Sequence, residues 1–183
     1  MMRALMHARP PDRFDPWKLA VNGGTLAGEW PAAALPRYAQ LLHETTGVVR
    51  WRLAGTRDAD GRKLVHVQVE AEPVLTCQRC FGPATYALRL DTRLAPIAAE
   101  AQAERLPVQY EPLLAGDEGV AIAEVLEDEL ILALPLVALH EDERECAAGG
   151  YALPPAVGPT PVVDGKPNPF AALSALLKTP KDA

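Results

Sequence analysis

Cys77 and Cys80 bracket Gln78-Arg79 and are followed by Phe81, Gly82 and Pro83. Two thiols at this spacing can both face one tetrahedral ion while the amides of the turn point back at the sulfurs, which is the layout of half a zinc knuckle. Cys146 and His140, close to each other in sequence, are the candidates for the other two ligands. The same residues support two other readings. A redox pair needs its first cysteine at a helix N-terminus, where the dipole lowers the thiol pKa, and Gly82-Pro83 opposes such a helix. Burial of three small apolar side chains requires no chemistry at all. A bound zinc ion, thiol chemistry and plain burial therefore all stay open at this level.

A second concentration of functional groups is Glu127-Asp128-Glu129. Projected at 100° per residue, Ile122, Val125, Leu126, Leu130 and Ala133 fall on one arc of a helix with Glu129 in the middle of it, while Glu124, Glu127 and Asp128 lie opposite. A carboxylate on an apolar face needs a partner, and Arg79, Arg89 and Arg93 are the candidates. Three consecutive acids fan around a helix, so they do not converge on one ion as a metal-dependent phosphodiesterase would require. A third group is basic: Arg50, Arg52, Arg62, Lys63, Arg89 and Arg93, which could grip phosphates or simply form a solvated face. The chain has no phosphate-binding glycine loop, no nucleophile elbow and no paired-histidine motif, so neither catalysis nor a small-molecule substrate is expected.

These groups must be held by something, and the hydrophobic pattern says what. From Val48 the period is two, with Val49, Trp51 and Leu53 on one side and Arg50 and Arg52 on the other. Asp58-Ala59-Asp60-Gly61 supplies a turn, and Val65, Val67 and Val69 alternate with His66, Gln68 and Glu70 to complete a hairpin. Pro73–Thr76 and Thr85–Leu94 suggest a third strand pair. Thr25–Trp30 predicts a strand, Ala32–His43 a helix, and Ile122–Leu134 a helix stopped by Pro135. Between Ile97 and Gly119 the pattern is weak and predicts a connector. The expected fold class is α+β: a central antiparallel sheet of hairpins with one wet face and packed helices.

Residues 1–146 are expected to form that single domain. The Gly- and Pro-rich stretch 147–165 predicts a linker, and residues 166–183 a short helix and tail in which Asn168 caps, Pro169 starts, and Phe170 leads the apolar stripe. Apolar residues make up 49% of the 183 and charged residues 23%, as in ordinary globular proteins rather than disordered ones. The net charge of −6 conceals a split: residues 1–66 hold ten Lys/Arg against six Asp/Glu, residues 111–164 one against twelve. A uniformly basic nucleic-acid binder is excluded, and a polarised one is not. With no apolar run of membrane-spanning length and an odd number of cysteines, a cytoplasmic protein without membrane contact is expected.

The order of these parts resembles the YceD family: Leu75-Thr76-Cys77-Gln78-Arg79-Cys80 in the sheet, Leu106-Pro107-Val108-Gln109-Tyr110-Glu111-Pro112 in the connector, Val125 through Pro135 to His140 and Cys146, and Lys166 to Leu173 at the end. The resemblance spans roughly residues 14 to 178. It implies a ribosome biogenesis factor needed for synthesis, processing or stability of the large-subunit (23S) ribosomal RNA, with precursor RNA or a large-subunit ribosomal protein as partner. It also places weight on Cys77, Cys80, Glu127, Asp128, Glu129 and Cys146 without assigning them to metal, RNA or protein. A metal-dependent RNA-processing enzyme and a zinc-knuckle interaction module are the alternatives.

Overall fold

The computed structural model describes residues 11–148, in which the elements follow in the order β1 (Arg13–Phe14), α1 (Pro16–Asn22), β2 (Thr25–Pro31), a 3-10 turn (Ala32–Ala34), α2 (Pro36–Ala39), β3 (Val48–Arg57), β4 (Lys63–Ala71), β5 (Val74–Thr76), β6 (Pro83–Thr85), β7 (Leu88–Ile97), a 3-10 helix (Glu100–Arg105), β8 (Glu111–Leu114), β9 (Val120–Ala121), α3 (Ile122–Ala133) and α4 (Glu143–Ala148). The helix expected after Asn168, with Phe170, lies outside the described residues, as does all but the start of the expected linker. That start, Ala147-Ala148, is instead the last turn of α4.

The alternation from Val48 becomes the β3–β4 hairpin. Its turn is closed by the Asp58 carboxylate, which accepts the backbone N–H groups of Asp60 and Arg62 at 3.0 and 2.8 Å. The register sets Trp51 opposite Val69 and Leu53 opposite Val67, all buried, and leaves Arg50, Arg52, Gln68 and Glu70 outside. A slip of one residue would invert both faces, so burial fixes the pairing. β2 flanks β3 and β7 flanks β4, both antiparallel, and the sheet order is β2-β3-β4-β7-β8.

The α+β class is as the sequence predicts, with two differences inside the sheet. Its last strand, β8, runs parallel to β7, so the sheet is mixed rather than wholly antiparallel. A parallel return needs a crossover, and the stretch expected to be a featureless connector supplies it through the 3-10 helix. The third strand pair also divides: β5 and β6 form a separate two-stranded ribbon, and the chain from Leu88 joins β4.

Helices cover the inner face. α1 was not predicted, although its signals are present: the Asp15 carboxylate accepts the Lys18 N–H at 2.9 Å, Pro16 occupies the first turn, and Gly23 ends the helix at φ 60°. The helix lies so close to β3 that a Cβ on Gly55 would stand 2.0 Å from the Leu19 carbonyl oxygen. The predicted helix from Ala32 to His43 is cut short. Leu35 precedes Pro36 and is pushed to φ −112°, ψ 86°, so only a 3-10 turn and the four residues of α2 form. Leu35 and Tyr38 still enter the core with Val49, Val65, Leu126 and Leu130.

Candidate functional site

The β5–β6 ribbon carries the two cysteines at its tip. The Cys77 N–H donates to the Gly82 carbonyl at 2.8 Å and the Phe81 N–H to the Cys77 carbonyl at 2.8 Å, a turn that puts Phe81 in the left-handed region at φ 62°. No helix follows Cys77, so the arrangement required for a redox pair is not built. After α3 the chain returns to this tip: the Gln78 N–H donates to the Ala138 carbonyl at 2.7 Å, and the Tyr86 hydroxyl holds both the carbonyl and the N–H of Leu139 at 2.6 Å. These contacts deliver His140, and α4 delivers Cys146.

The ligand atoms of Cys77, Cys80, His140 and Cys146 all lie within 4.8 Å of one another, close enough to hold a metal ion. His140 Nδ1 is 3.3 Å from Cys146 Sγ and 3.6 Å from Cys80 Sγ, near the ligand separations of a tetrahedral sulfur and nitrogen site. The ring's other nitrogen, Nε2, donates to the Pro83 carbonyl at 2.8 Å. That bond fixes the tautomer and leaves the Nδ1 lone pair facing the sulfurs, as a metal-binding histidine requires. It is also the main reason that the His140 pKa is raised.

Burial pushes the Cys77 thiol up, yet the N–H groups of Cys80, His140 and Arg79 aimed at its sulfur outweigh burial and bring it down to about 6. Amides turned toward a sulfur favour its thiolate, the form that ligates metal. Burial and the neighbouring sulfurs push Cys146 the other way, to about 11, against the nearby Arg79 guanidinium. Arg79 reaches Glu143 at only 3.7 Å, and its Nη1 is buried without a hydrogen-bond partner, so a positive group sits beside the sulfur cluster with little else to neutralise it.

The acidic trio points in three directions. Glu127, expected on the outer face, is buried, and its carboxylate accepts the backbone N–H groups of Arg37 and Tyr38 at 2.6 and 3.4 Å. It caps α2, whose own preceding residue Leu35 has no side chain able to do so. Asp128 is exposed and pairs with the Arg37 guanidinium at 2.6 Å. Glu129 is buried as expected, but no ion pair joins it to Arg79, Arg89 or Arg93, and the polar neighbour that favours its charged form is Thr92. The arginines of β7 point to the opposite face of the sheet, and Glu129 makes no ion pair among the described residues. Burial raises the Glu129 pKa, Thr92 opposes this, and Glu111 and Asp128 add to it. Glu127→Ala should cost about 1–3 kcal/mol by stranding buried N–H groups. Glu127→Gln should recover much of that, and Glu124→Ala should stay within about 0.5 kcal/mol. Denaturant midpoints check this, and equal midpoints for the Glu127→Ala and Glu124→Ala variants would contradict it.

On the open face of the sheet, the register sets Glu29, Arg50, Glu70 and Arg89 in one row, and Ala27, Arg52, Gln68 and Asp91 in the next. A hollow of about 400 Å³ lies over them. Of the six basic residues singled out in the sequence, Arg50 is held by Glu29 at 2.9 Å and Arg62 by Asp58 at 3.5 Å. Arg52, Arg89, Arg93 and Lys63 have no ion-pair partner among the described residues. Asp91 is engaged by His66 at 2.6 Å and by Gln68, which lower its pKa. Sequence reasoning missed Arg37, Thr92 and Tyr86 as partners of these groups. Nothing local marks the first two, because each acts on an element far away in the chain.

No helix among the described residues is long and apolar enough to cross a membrane. No solved structure matches the chain. The family model described as large ribosomal RNA subunit accumulation protein YceD matches residues 65–177. The large ribosomal RNA subunit accumulation protein YceD of Haemophilus influenzae is 32% identical over 167 residues, covering 91% of this chain and 95% of that protein. A model matched through the ribbon, α3 and the returning segment, together with a relative aligned over nearly the whole length, places this chain in the YceD family.

Proposed function

We propose that this chain is a non-enzymatic factor, acting in the cytoplasm, that supports accumulation of large-subunit ribosomal RNA by binding the precursor along the open face of its sheet. The relative's name supplies the process. The observation that carries the mode of action is the set of exposed guanidinium groups on Arg52, Arg89 and Arg93, which share one face and are not engaged by carboxylates among the described residues. Phosphate oxygens are the complementary ligand for such groups, and contacts of this kind need little sequence information. Zinc is the proposed occupant of the Cys77, Cys80, His140 and Cys146 cluster. Three thiolates and one imidazole are a donor set that suits zinc, and four protein ligands with no open position make a structural rather than a catalytic site. A metal-dependent nuclease reading would need converging carboxylates, and Glu127, Asp128 and Glu129 diverge.

The reading is tested by crosslinking the chain to RNA in living cells and sequencing what it carries. Fragments of large-subunit precursor should exceed small-subunit fragments by about tenfold or more, against the background that nonspecific phosphate binding sets. Equal recovery of the two would overturn it.

A further inference from the structure

The end of α3 and the loop beyond it leave an apolar surface that no other described element covers. Phe81 is 73% exposed, Leu132 77% and Leu136 98%. A hollow of about 390 Å³ runs among Leu41, Leu75, Phe81, Ile131 and Leu136. A second, of about 300 Å³, adjoins it across Ile131 and is bounded by Leu113, Glu111, Asp128 and Glu129. The two together make a groove with large apolar side chains at the metal-ligand end and carboxylates at the other.

The acidic end is unbalanced. Arg37 engages Asp128, while neither Glu111 nor Glu129 has an ion-pair partner among the described residues. A buried carboxylate without a cation is where an incoming ammonium or guanidinium gains most, because the cost of removing that carboxylate from water has already been met. Clustered exposed apolar side chains beside it mark a surface that is covered in use.

We propose that this groove docks a positively charged amphipathic segment of a protein partner, its apolar side chains resting on Phe81, Ile131 and Leu136 and a Lys or Arg reaching Glu111 and Glu129. RNA is the wrong ligand here, since its phosphates would meet carboxylates and its bases would find no free cation. Judged on the described residues, a second copy of this chain is a poor fit as well: its unpaired arginines sit on the sheet face among Glu70 and Asp91, without an exposed apolar row beside them. The inference rests on the chain being a binding factor in large-subunit biogenesis, but not on the sheet face holding RNA.

The test places p-benzoylphenylalanine at Leu136 of the full chain, a position too exposed for the change to disturb folding. The probe is the protein fraction stripped from purified large ribosomal subunits, with purified large-subunit RNA irradiated in parallel. The expected adduct is a peptide with Lys or Arg within about one helical turn of the crosslinked residue. That peptide, synthesised, should bind Phe81→Ser/Leu136→Ser about tenfold or more weakly than the parent chain and Arg52→Gln unchanged. Glu111→Gln should weaken it mainly at low salt. An adduct with RNA, with a second copy or with a neutral or acidic peptide overturns the proposal, as does the lack of any adduct. If the groove fails while the chain still carries large-subunit precursor in cells, the biogenesis reading stands without it. If the peptide binds as stated but precursor is not enriched, it is the biogenesis reading that falls.

Discussion

Protein purified without chelator is expected to carry about one zinc ion per chain, and stripping that ion should lower the melting temperature by about 10 °C or more. The size of the effect follows from what the cluster joins. β5 and β6 have three residues each, too few to hold a ribbon on its own, and α4 is a six-residue helix, below the length at which a helix sustains itself in water. The only buried residue of α4 is Cys146. Without an ion, the return segment is tied to the ribbon by the Gln78, Tyr86 and His140 hydrogen bonds and little else. Cys146→Ser should therefore lower the melting temperature about as far as chelation lowers it for the parent chain, and chelator should have no further effect on the variant. If the three thiols are only core side chains, the two treatments act independently: chelator leaves the parent unchanged and the variant loses stability by itself. Elemental analysis well below one metal per chain, in protein with reduced thiols, would exclude the site.

The pairing of Cys77 with Cys80 was legible because a knuckle is encoded within a few residues, and the hairpin was legible because burial of one face imposes period two. The contributions of His140 and Cys146 were suggested by residue type alone. What brings them to the ribbon is a set of tertiary hydrogen bonds, chiefly those of Tyr86 to Leu139, which no local pattern encodes. Glu127 illustrates the opposite failure. Helical periodicity predicts it on the outer face, opposite the apolar arc, but α2 starts beside α3 with N–H groups that lack a local cap, and the carboxylate is buried to serve them. Glu129 is buried as its place on the helix predicts, yet Arg89 and Arg93 lie on the other side of the sheet. Arg89 and Arg93 alternate with Leu88, Leu90 and Thr92, and the parity that takes Thr92 inward to Glu129 takes both arginines outward. The α1 helix, by contrast, is marked locally by Asp15, Pro16 and Gly23, but with seven residues it is too short to show a helical period.

The sheet face gives the second large effect. Arg52→Gln, Arg89→Gln and Arg93→Gln combined should weaken binding of large-subunit precursor RNA across all fragments tested and reduce the slope of log K against log salt by about one for each phosphate contact removed. These three positions are chosen over Arg50 and Arg62 because the structure shows those two already engaged, by Glu29 and Asp58. Removing Arg50 would take away the cation that stands between Glu29 and Glu70 in the row and mix a change in stability with a change in binding. The triple variant touches only exposed side chains without ion-pair partners, so its stability should stay close to that of the parent, within about 0.5 kcal/mol per substitution. Neutralising the acid in the row has the reverse sign: Asp91→Asn should tighten RNA binding, since Asp91 shares a row with Arg52, with Gln68 between them, and stands beside Arg93, where it repels an incoming phosphate. Fluorescence anisotropy with a labelled precursor fragment between about 50 and 200 mM salt reads both slopes. A slope that is the same in the parent and in the triple variant would remove the sheet face from RNA binding and leave the apolar and acidic groove on α3 as the working surface.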